Sequence, residues 1–184
     1  MPEISLSVLD VSENSVRAGA TLVSIQISVD SASDSMTIVI GDNGKGMDPE
    51  QAAHATDPFF TTRTTRSVGM GLPFFKYAAE CTGGSFSIAS QPGKGTVVTA
   101  VFMLSHIDRM PLGDMSSTIH NLILYHPDID FCYTYCCNGL SFTLDTREMR
   151  EILGEIPFHT PEVSSYIMEL LSENHRETNG GMQL

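Results

Sequence analysis

Met36-Thr37-Ile38-Val39-Ile40-Gly41-Asp42-Asn43-Gly44-Lys45-Gly46-Met47 is the stretch on which the fold turns. A short β-branched run, Met36–Gly41, ends in a carboxylate and then in a loop with glycines at 44 and 46. Such a run reads as a strand and such a loop as its turn. Asp42 at a strand end can accept a hydrogen bond from an exocyclic amine, because an ionised carboxylate offers only acceptors. Gly44 and Gly46 remove side chains, so that a flat ring can lie against backbone. Standing alone, the loop reads equally well as an ordinary glycine-rich turn.

Upstream, Leu22–Val29 alternates with Val23, Ile25, Ile27 and Val29 on one face, and the polar turn Asp30–Ser35 joins it to the first run as a strand pair. Before that, Pro2–Ala18 reads as a helix, with Ile4, Val8, Val11 and Ser15 spaced by 4, 3 and 4 and Pro2 tolerated in the first turn. Asp10 and Asn14 lie one turn apart on this helix and share a face. A carboxylate and a carboxamide so placed can hold a hard cation and orient a water or hydroxyl. Alone, they read as a solvated helix face.

Downstream, a short helix over Ala52–Ala55 follows Pro49. Asp57-Pro58-Phe59-Phe60-Thr61-Thr62-Arg63 leads through a polar segment to Val68-Gly69-Met70-Gly71-Leu72. These glycines open a helix over Gly71–Thr82, whose inward face carries Leu72, Phe75, Ala78 and Ala79 and which Gly83-Gly84 ends. Glycines opening a helix present bare N–H groups and the positive dipole end to phosphate. Phe86–Ala89 and Thr96–Leu104, joined by the turn Gln91–Gly95, complete the half as two more strands. Helices and strands of this order segregate into a two-layer α+β sandwich, a mixed sheet with helices on one face.

A boundary is expected where Pro and Gly cluster without apolar periodicity, so the chain divides into an N-terminal domain over 1–105 and a linker over 106–113. The second half reads as a small αββαα module over 114–173, with a frayed tail over 174–184. Asp114 is the expected N-cap of a helix carrying Met115, Ile119, Leu122, Ile123 and His126, stopped by Pro127. Asn138-Gly139 is a type I′ hairpin signal between Phe131–Cys137 and Leu140–Asp145. A two-residue turn sets Cys137 opposite Leu140, Tyr135 opposite Phe142 and Tyr133 opposite Leu144, which leaves Cys132, Thr134 and Cys136 on the other face. Thr146 and Thr160 are the expected caps of two further helices, with Gly154 ending the first and Pro161 opening the second.

Of 184 residues, 41% are apolar and 17% charged, enough for a buried core. Ten Lys and Arg against 22 Asp and Glu give a formal charge of −12, which speaks against nucleic acid and anionic membrane as partners. No apolar run approaches the roughly 18–20 residues that span a bilayer, and Met1-Pro2-Glu3 does not resemble a signal peptide. The four cysteines fit no zinc or redox spacing, and a reducing, cytoplasmic setting is expected.

In order and spacing these motifs resemble the GHKL superfamily, the Bergerat-fold ATPases of histidine kinases, DNA gyrase, mismatch-repair ATPases and anti-sigma-factor kinases. Asp10–Arg17 looks like the N box, Asp42–Met47 the first glycine box, Asp57–Thr62 the F box and Gly69–Leu72 the second glycine box. Gly93-Lys94-Gly95-Thr96 is similar to the turn and strand start that end the fold in histidine kinases. The resemblance covers residues 2–105. It implies ATP and Mg²⁺ as ligands, with Asn14 binding the metal and Asp10 standing where the superfamily's ATPases carry a general-base glutamate. Arg17 would reach phosphate, and Asp42 would accept from adenine N6, helped by Thr96 through water. Gly44, Gly46 and Met47 would shape the base pocket. Arg63 would take the place of a phosphate-contacting lysine in a short lid over Thr61–Val68, and Gly69, Met70, Gly71 and Leu72 would form the phosphate-binding helix start.

The superfamily's ATP domains usually begin with a strand and a longer lead-in before the N box. Here that helix starts almost at Met1, so a sheet short of one strand, or a clipped start, is expected. No acceptor-histidine helices precede it and no sensor segment is expected, so a complete transmembrane histidine kinase is not the reading. Ser105–Leu112 nearly matches a phospho-acceptor box around His106, but the acid sits one residue late and the segment follows a strand, so it reads as a strand-to-linker junction. The resemblance implies a soluble kinase component that passes the γ-phosphoryl group to a partner protein. The other reading is an ATP-gated binding switch, akin to an anti-sigma regulator, with little turnover. Residues 106–184 carry 4 basic and 12 acidic side chains, so this half is expected to offer an acidic face to a protein partner.

Overall fold

The computed structural model describes residues 3–57, 70–182 and 184. Its elements are α1 (Ile4–Arg17), β1 (Leu22–Asp30), β2 (Ser35–Asp42), α2 (Pro49–His54), α3 (Gly71–Glu80), β3 (Ser85–Gln91), β4 (Gly95–Met103), α4 (Met115–Tyr125), β5 (Asp130–Cys137), β6 (Leu140–Asp145), α5 (Thr146–Leu153) and α6 (Pro161–Asn179). The strands form one six-stranded sheet in the order β3-β4-β2-β1-β5-β6. Every neighbouring pair is antiparallel except β1 and β5, which run parallel.

Alternation in the strands produces the two layers. Val23, Ile25, Ile27 and Val29 of β1 are buried, as are Met36, Ile38 and Ile40 of β2 and Phe131, Tyr133, Tyr135 and Cys137 of β5. Their register partners keep these residues on one face, where the helices cover them. The other face carries small, mostly uncharged residues, among them Ser24, Gln26, Thr99 and Thr134. Each large side chain taken from water on the covered face contributes roughly 1.5–3 kcal/mol, so a charge at Ile27 or Ile38 would disrupt the sheet.

Helix α1 packs through Ile4, Val8, Val11 and Ser15, the spacing read from the sequence. Its N-cap, Glu3, makes no side-chain cap. The first-turn donors are met instead by the chain far downstream, Ile4 N to Pro111 O at 3.0 Å and Ser5 N to Leu112 O at 2.8 Å. Helix α2 starts with a capping box in which Asp48 accepts from Gln51 N and the Gln51 side chain accepts from Asp48 N. The hairpin β5–β6 has the expected register, Cys137 with Leu140, Tyr135 with Phe142 and Tyr133 with Leu144. Asn138 and Gly139 both have positive φ, as a type I′ turn requires.

Three sequence expectations need correction. The sheet is not short beside β1, because β5 from the second half occupies that edge in parallel, and one continuous core runs from Ile4 to Leu171. The cap of α5 is Asp145, whose carboxylate accepts from Arg147 N at 2.9 Å. Thr146 instead turns its buried hydroxyl to Phe131 N at 2.9 Å and Asp130 at 3.2 Å. The tail is not frayed from 174: α6 continues to Asn179 and ends on Gly180 in a left-handed C-cap.

His175 explains the persistence of α6. Its ring stands 4.8 Å from Tyr135, 5.1 Å from Phe142 and 5.5 Å from Tyr133, each in edge-on geometry. Nδ1 bonds Ser116 Oγ at 2.8 Å and Nε2 bonds Tyr133 Oη at 2.6 Å. Burial pushes its pKa down to about 4, against a small opposing pull from Asp114. Beyond α6, Leu184 O accepts from Leu112 N at 3.0 Å.

Candidate nucleotide-binding site

The motif residues converge at one end of the sheet. Asp42 closes β2 and lies opposite Val23 on one side and Thr96 on the other. One carboxylate oxygen accepts from Ser15 Oγ at 2.7 Å and the other from Gly44 N at 2.9 Å. Ser15 is buried on the inner face of α1, directly after Asn14. The contact therefore joins the N-box helix to the first glycine box and fixes the carboxylate plane. Each oxygen keeps a second acceptor direction for an incoming amine.

Thr96 is tied to the loop through Ser90. Ser90 Oγ lies 2.8 Å from Thr96 Oγ1, donates to Gly95 O at 3.0 Å and accepts from Met47 N at 2.8 Å. Asn43 anchors the other flank, its Oδ1 accepting from Thr21 N at 2.9 Å and Leu22 N at 3.0 Å. Sequence reasoning missed Ser15, Asn43 and Ser90. Thr96 pairs with Ser90 across the β3–β4 turn, so register counting from Gln91–Gly95 could have found Ser90. Nothing local signals Ser15.

The glycines of the loop are also required by the packing of the protein itself. A Cβ on Gly46 would stand 1.9 Å from Gln91 O, and one on Gly44 would stand 2.9 Å from Ala18 O. Gly46 also sits at φ +66. The loop thus lies directly against the β3–β4 turn and the end of α1, so protein backbone fills the space a side chain would need. Gly95 repeats the pattern, with φ +103 and a Cβ position 1.9 Å from Asp42 O.

On α1, Asp10 is exposed and Asn14 half-buried, at the edge facing α3. Gly71 opens α3 beside them: its absent Cβ would lie 3.3 Å from Asp10 Cβ and 3.6 Å from Asp10 Oδ2. The first turn of α3 takes its donors from Gly71 and Leu72, because Pro73 has no N–H. Met70, the N-cap, is exposed. Arg17 Nη2 donates to Asn14 Oδ1 at 2.6 Å. Arg63 and Gly69, with the lid and the F box beyond Asp57, lie outside the described residues.

The donor set fits a nucleotide with its metal. An oriented carboxylate stands at a strand end, and bare helix-start N–H groups stand beside a carboxylate–carboxamide pair. Mg²⁺ in phosphate sites typically takes only one or two protein ligands, the rest being phosphate and water. Among the described residues no cluster of three His, Cys, Asp or Glu is placed to hold a metal. Among the described residues no helix is long and apolar enough to cross a membrane.

Comparison with known proteins agrees with this geometry. Residues 3–106 match the family described as histidine kinase-, DNA gyrase B- and HSP90-like ATPase. The sensor protein kinase FleS of Pseudomonas aeruginosa is 36% identical over 98 residues, covering 53% of this chain and 24% of that protein. A putative sensor histidine kinase NtrY-like of Rickettsia conorii is 28% identical over 106 residues, covering 58% of this chain and 17% of that one. The chain therefore spans a quarter or less of the length of these curated relatives. The crystal structure of the N-terminal domain of a DNA repair protein superposes with a TM-score of 0.54 at 15% identity, covering 79% of this chain and 53% of that one, and shows the fold alone. With the family model matched across more than half its length, the chain belongs to the histidine kinase-, DNA gyrase B- and HSP90-like ATPase family.

Proposed function

We propose that the chain is a Mg²⁺-dependent ATP-binding signalling protein that passes the γ-phosphoryl group to a partner protein. The observation that carries this reading is the convergence of Asp42, Asn14, Asp10 and the Gly71 helix start at one end of the sheet. Asp42, held by Ser15 and Gly44, accepts from the adenine amine, and Thr96 with Ser90 offers hydroxyls on the same side. Asn14 holds Mg²⁺, whose charge offsets that of the phosphates. The N–H groups of Gly71 and Leu72 face phosphate, and Arg17 supplies a cation next to Asn14. Asp10 stands beside that helix start, where a carboxylate can take a proton from an attacking hydroxyl or orient a water.

A second reading, an ATP-gated switch with little turnover, draws support from the Arg17–Asn14 bond of 2.6 Å. The oxygen that would meet the metal is engaged by Arg17, so nucleotide entry would exchange one arrangement for another. In either reading the second half presents its acids to a basic protein surface: Glu148, Glu151, Glu155, Glu162, Glu169, Glu173 and Glu177 are exposed along α5, α6 and the turn between them. Both readings place the protein in a reducing, cytoplasmic setting, and Cys81, Cys132, Cys136 and Cys137 are free thiols.

The deciding experiment incubates γ-labelled ATP, with and without Mg²⁺, with the chain and proteins encoded beside it. Metal-dependent label on a partner supports transfer, acid-labile for a phosphohistidine and acid-stable for a phosphoserine. ATP binding without label supports the switch, and absence of Mg·ATP binding by calorimetry overturns both.

A further inference from the structure

Helix α1 is gripped on two flanks. On the α3 side Asp10 stands beside Gly71. On the other, Glu13, directly before Asn14, meets His126 at the end of α4, with Oε1 2.7 Å from Nε2. An ionised carboxylate only accepts, so Nε2 carries the proton and donates. Both side chains are largely covered, Glu13 exposed by 31% and His126 by 21%. The bond joins positions 113 residues apart, one in each half of the chain.

His126 is itself held in place. It closes α4 as the C-cap, its N–H donating to Leu122 O at 3.2 Å, and its carbonyl accepts from Ile129 N at 3.1 Å. Arg150 fastens the turn that follows, donating through Nη2 to Pro127 O at 2.6 Å and through Nε to Asp130 Oδ1 at 3.0 Å. The same turn reaches toward the first glycine box: Asp130 N donates to Thr21 O at 2.9 Å, and Thr21 N donates to Asn43 Oδ1 at 2.9 Å. The turn over 126–130 thus braces the helix that carries Asn14 and, through Thr21, the loop that follows Asp42.

The consequence for the nucleotide end is rotational. Side-chain tips of a helix lie about 5–6 Å from its axis, so a turn of about 10° displaces them by about 1 Å. A misplacement of that size can cost about 100-fold where alignment matters. Val8 and Val11 hold α1 to the sheet through apolar contacts, which are non-directional and resist such a turn weakly. The Ser15–Asp42 bond is the directional tie on the buried side, and Glu13–His126 is its counterpart on the flank. We propose that His126 is a positioning residue for the nucleotide site: by holding Glu13 it sets the rotation of α1 and with it the placement of Asp10 and Asn14. The assignment rests on the proposed nucleotide site, to which it adds the second half of the chain as a working part.

Calorimetric titration of the full chain with ATP, with and without Mg²⁺, tests this. His126→Ala should weaken Mg·ATP binding about tenfold, near the lower end of what outer residues contribute to a metal site. ATP affinity without Mg²⁺ should stay within about twofold, which a general loss of folding would not allow. Glu13→Met keeps the side-chain length and loses the acceptor, and should match His126→Ala. His126→Gln keeps an N–H at the place of Nε2 and should bind Mg·ATP within about threefold of the parent. Equal losses in His126→Ala and His126→Gln overturn the proposal, because the packing of the ring and not its bond is then responsible. Mg·ATP binding that is unchanged in Glu13→Met overturns it too and leaves the nucleotide site standing. A parent chain that binds no Mg·ATP overturns both.

Discussion

Ser15 and Asp42 are held together by a 2.7 Å hydrogen bond that crosses from the helix layer to the end of a strand. Ser15 Oγ also approaches Val11 O at 3.5 Å within α1. The carboxylate proposed to receive adenine is therefore oriented by the same helix that carries Asp10 and Asn14. Under the proposed function, movement of α1 would be felt at both ends of a bound nucleotide.

Asp42→Asn should weaken ATP binding by 30-fold or more, because it replaces an oriented acceptor pair with one acceptor and one donor. Ser15→Ala leaves the acceptor in place and loosens it, so a loss of about three- to tenfold is expected, in line with one hydrogen bond. Calorimetric titration with Mg·ATP measures both. Equal affinity in Asp42→Asn and the parent chain would remove Asp42 from the site.

Asp10 and Asn14 should separate chemistry from binding. Asp10→Asn is expected to keep ATP affinity within about threefold while lowering turnover by about 100-fold, the usual range for a positioned base. Asn14→Ala should abolish the Mg²⁺ dependence of binding. Unchanged turnover in Asp10→Asn, measured by phosphate release or label transfer, would favour the switch reading.

Gly95→Ala should destabilise the fold even without nucleotide. A Cβ there meets Asp42 O at 1.9 Å, and the residue sits at φ +103, where side chains are strained. A loss of about 2–4 kcal/mol is expected, the range for backbone strain combined with overpacking. Gly93→Ala is the matched control: it also has positive φ, but nothing lies within 4 Å of its Cβ position. Urea midpoints that agree for the two variants would mean that the turn shifts freely.

The folded chain keeps His175 neutral, with its pKa near 4, below that of a histidine in an unfolded chain. Below about pH 6.5 the unfolded state takes up a proton that the folded state resists, so stability is full above that value and falls with acidity until about pH 4. The loss attributable to this residue is on the order of 2–3 kcal/mol. Asp114 and Asp145, whose pKa values are lowered, lose their contributions only as the pH falls through the carboxylate range. Denaturant midpoints at pH 7 and pH 5 should differ less in His175→Phe than in the parent chain, and an identical difference would exclude His175 as the source.

Much of the nucleotide end was legible because its signals are local. Asp42 follows its strand directly, Asp10 and Asn14 are one helical turn apart, and Asn138-Gly139 dictates its own register. What escaped depends on residues distant in sequence. Ser15 acquires its role only when α1 lies over β2, and the first turn of α1 is completed by Pro111 and Leu112. The tail read as frayed because it carries Asn179-Gly180-Gly181 near its end. Val163, Ile167 and Leu171 nonetheless continue at helical spacing to His175 and Thr178, and a histidine satisfied on both nitrogens can be buried where its polarity suggests exposure. The Gly46 and Gly95 requirements were visible as glycines, but their cause, backbone of the β3–β4 turn against backbone of the loop, was not.

The parallel pairing of β1 with β5 sets a schedule for folding. Val23 pairs with Phe131 and Val29 with Cys137, so a strand made early in synthesis waits for one made more than a hundred residues later. Contacts of such separation must overcome a large loop-closure entropy and form slowly. On the ribosome, the motif-bearing half would emerge complete while one edge of its central strand still had backbone N–H and C=O groups unpaired, a template for strangers as much as for β5. A chain terminated near residue 106 would keep every nucleotide motif and carry that open edge permanently.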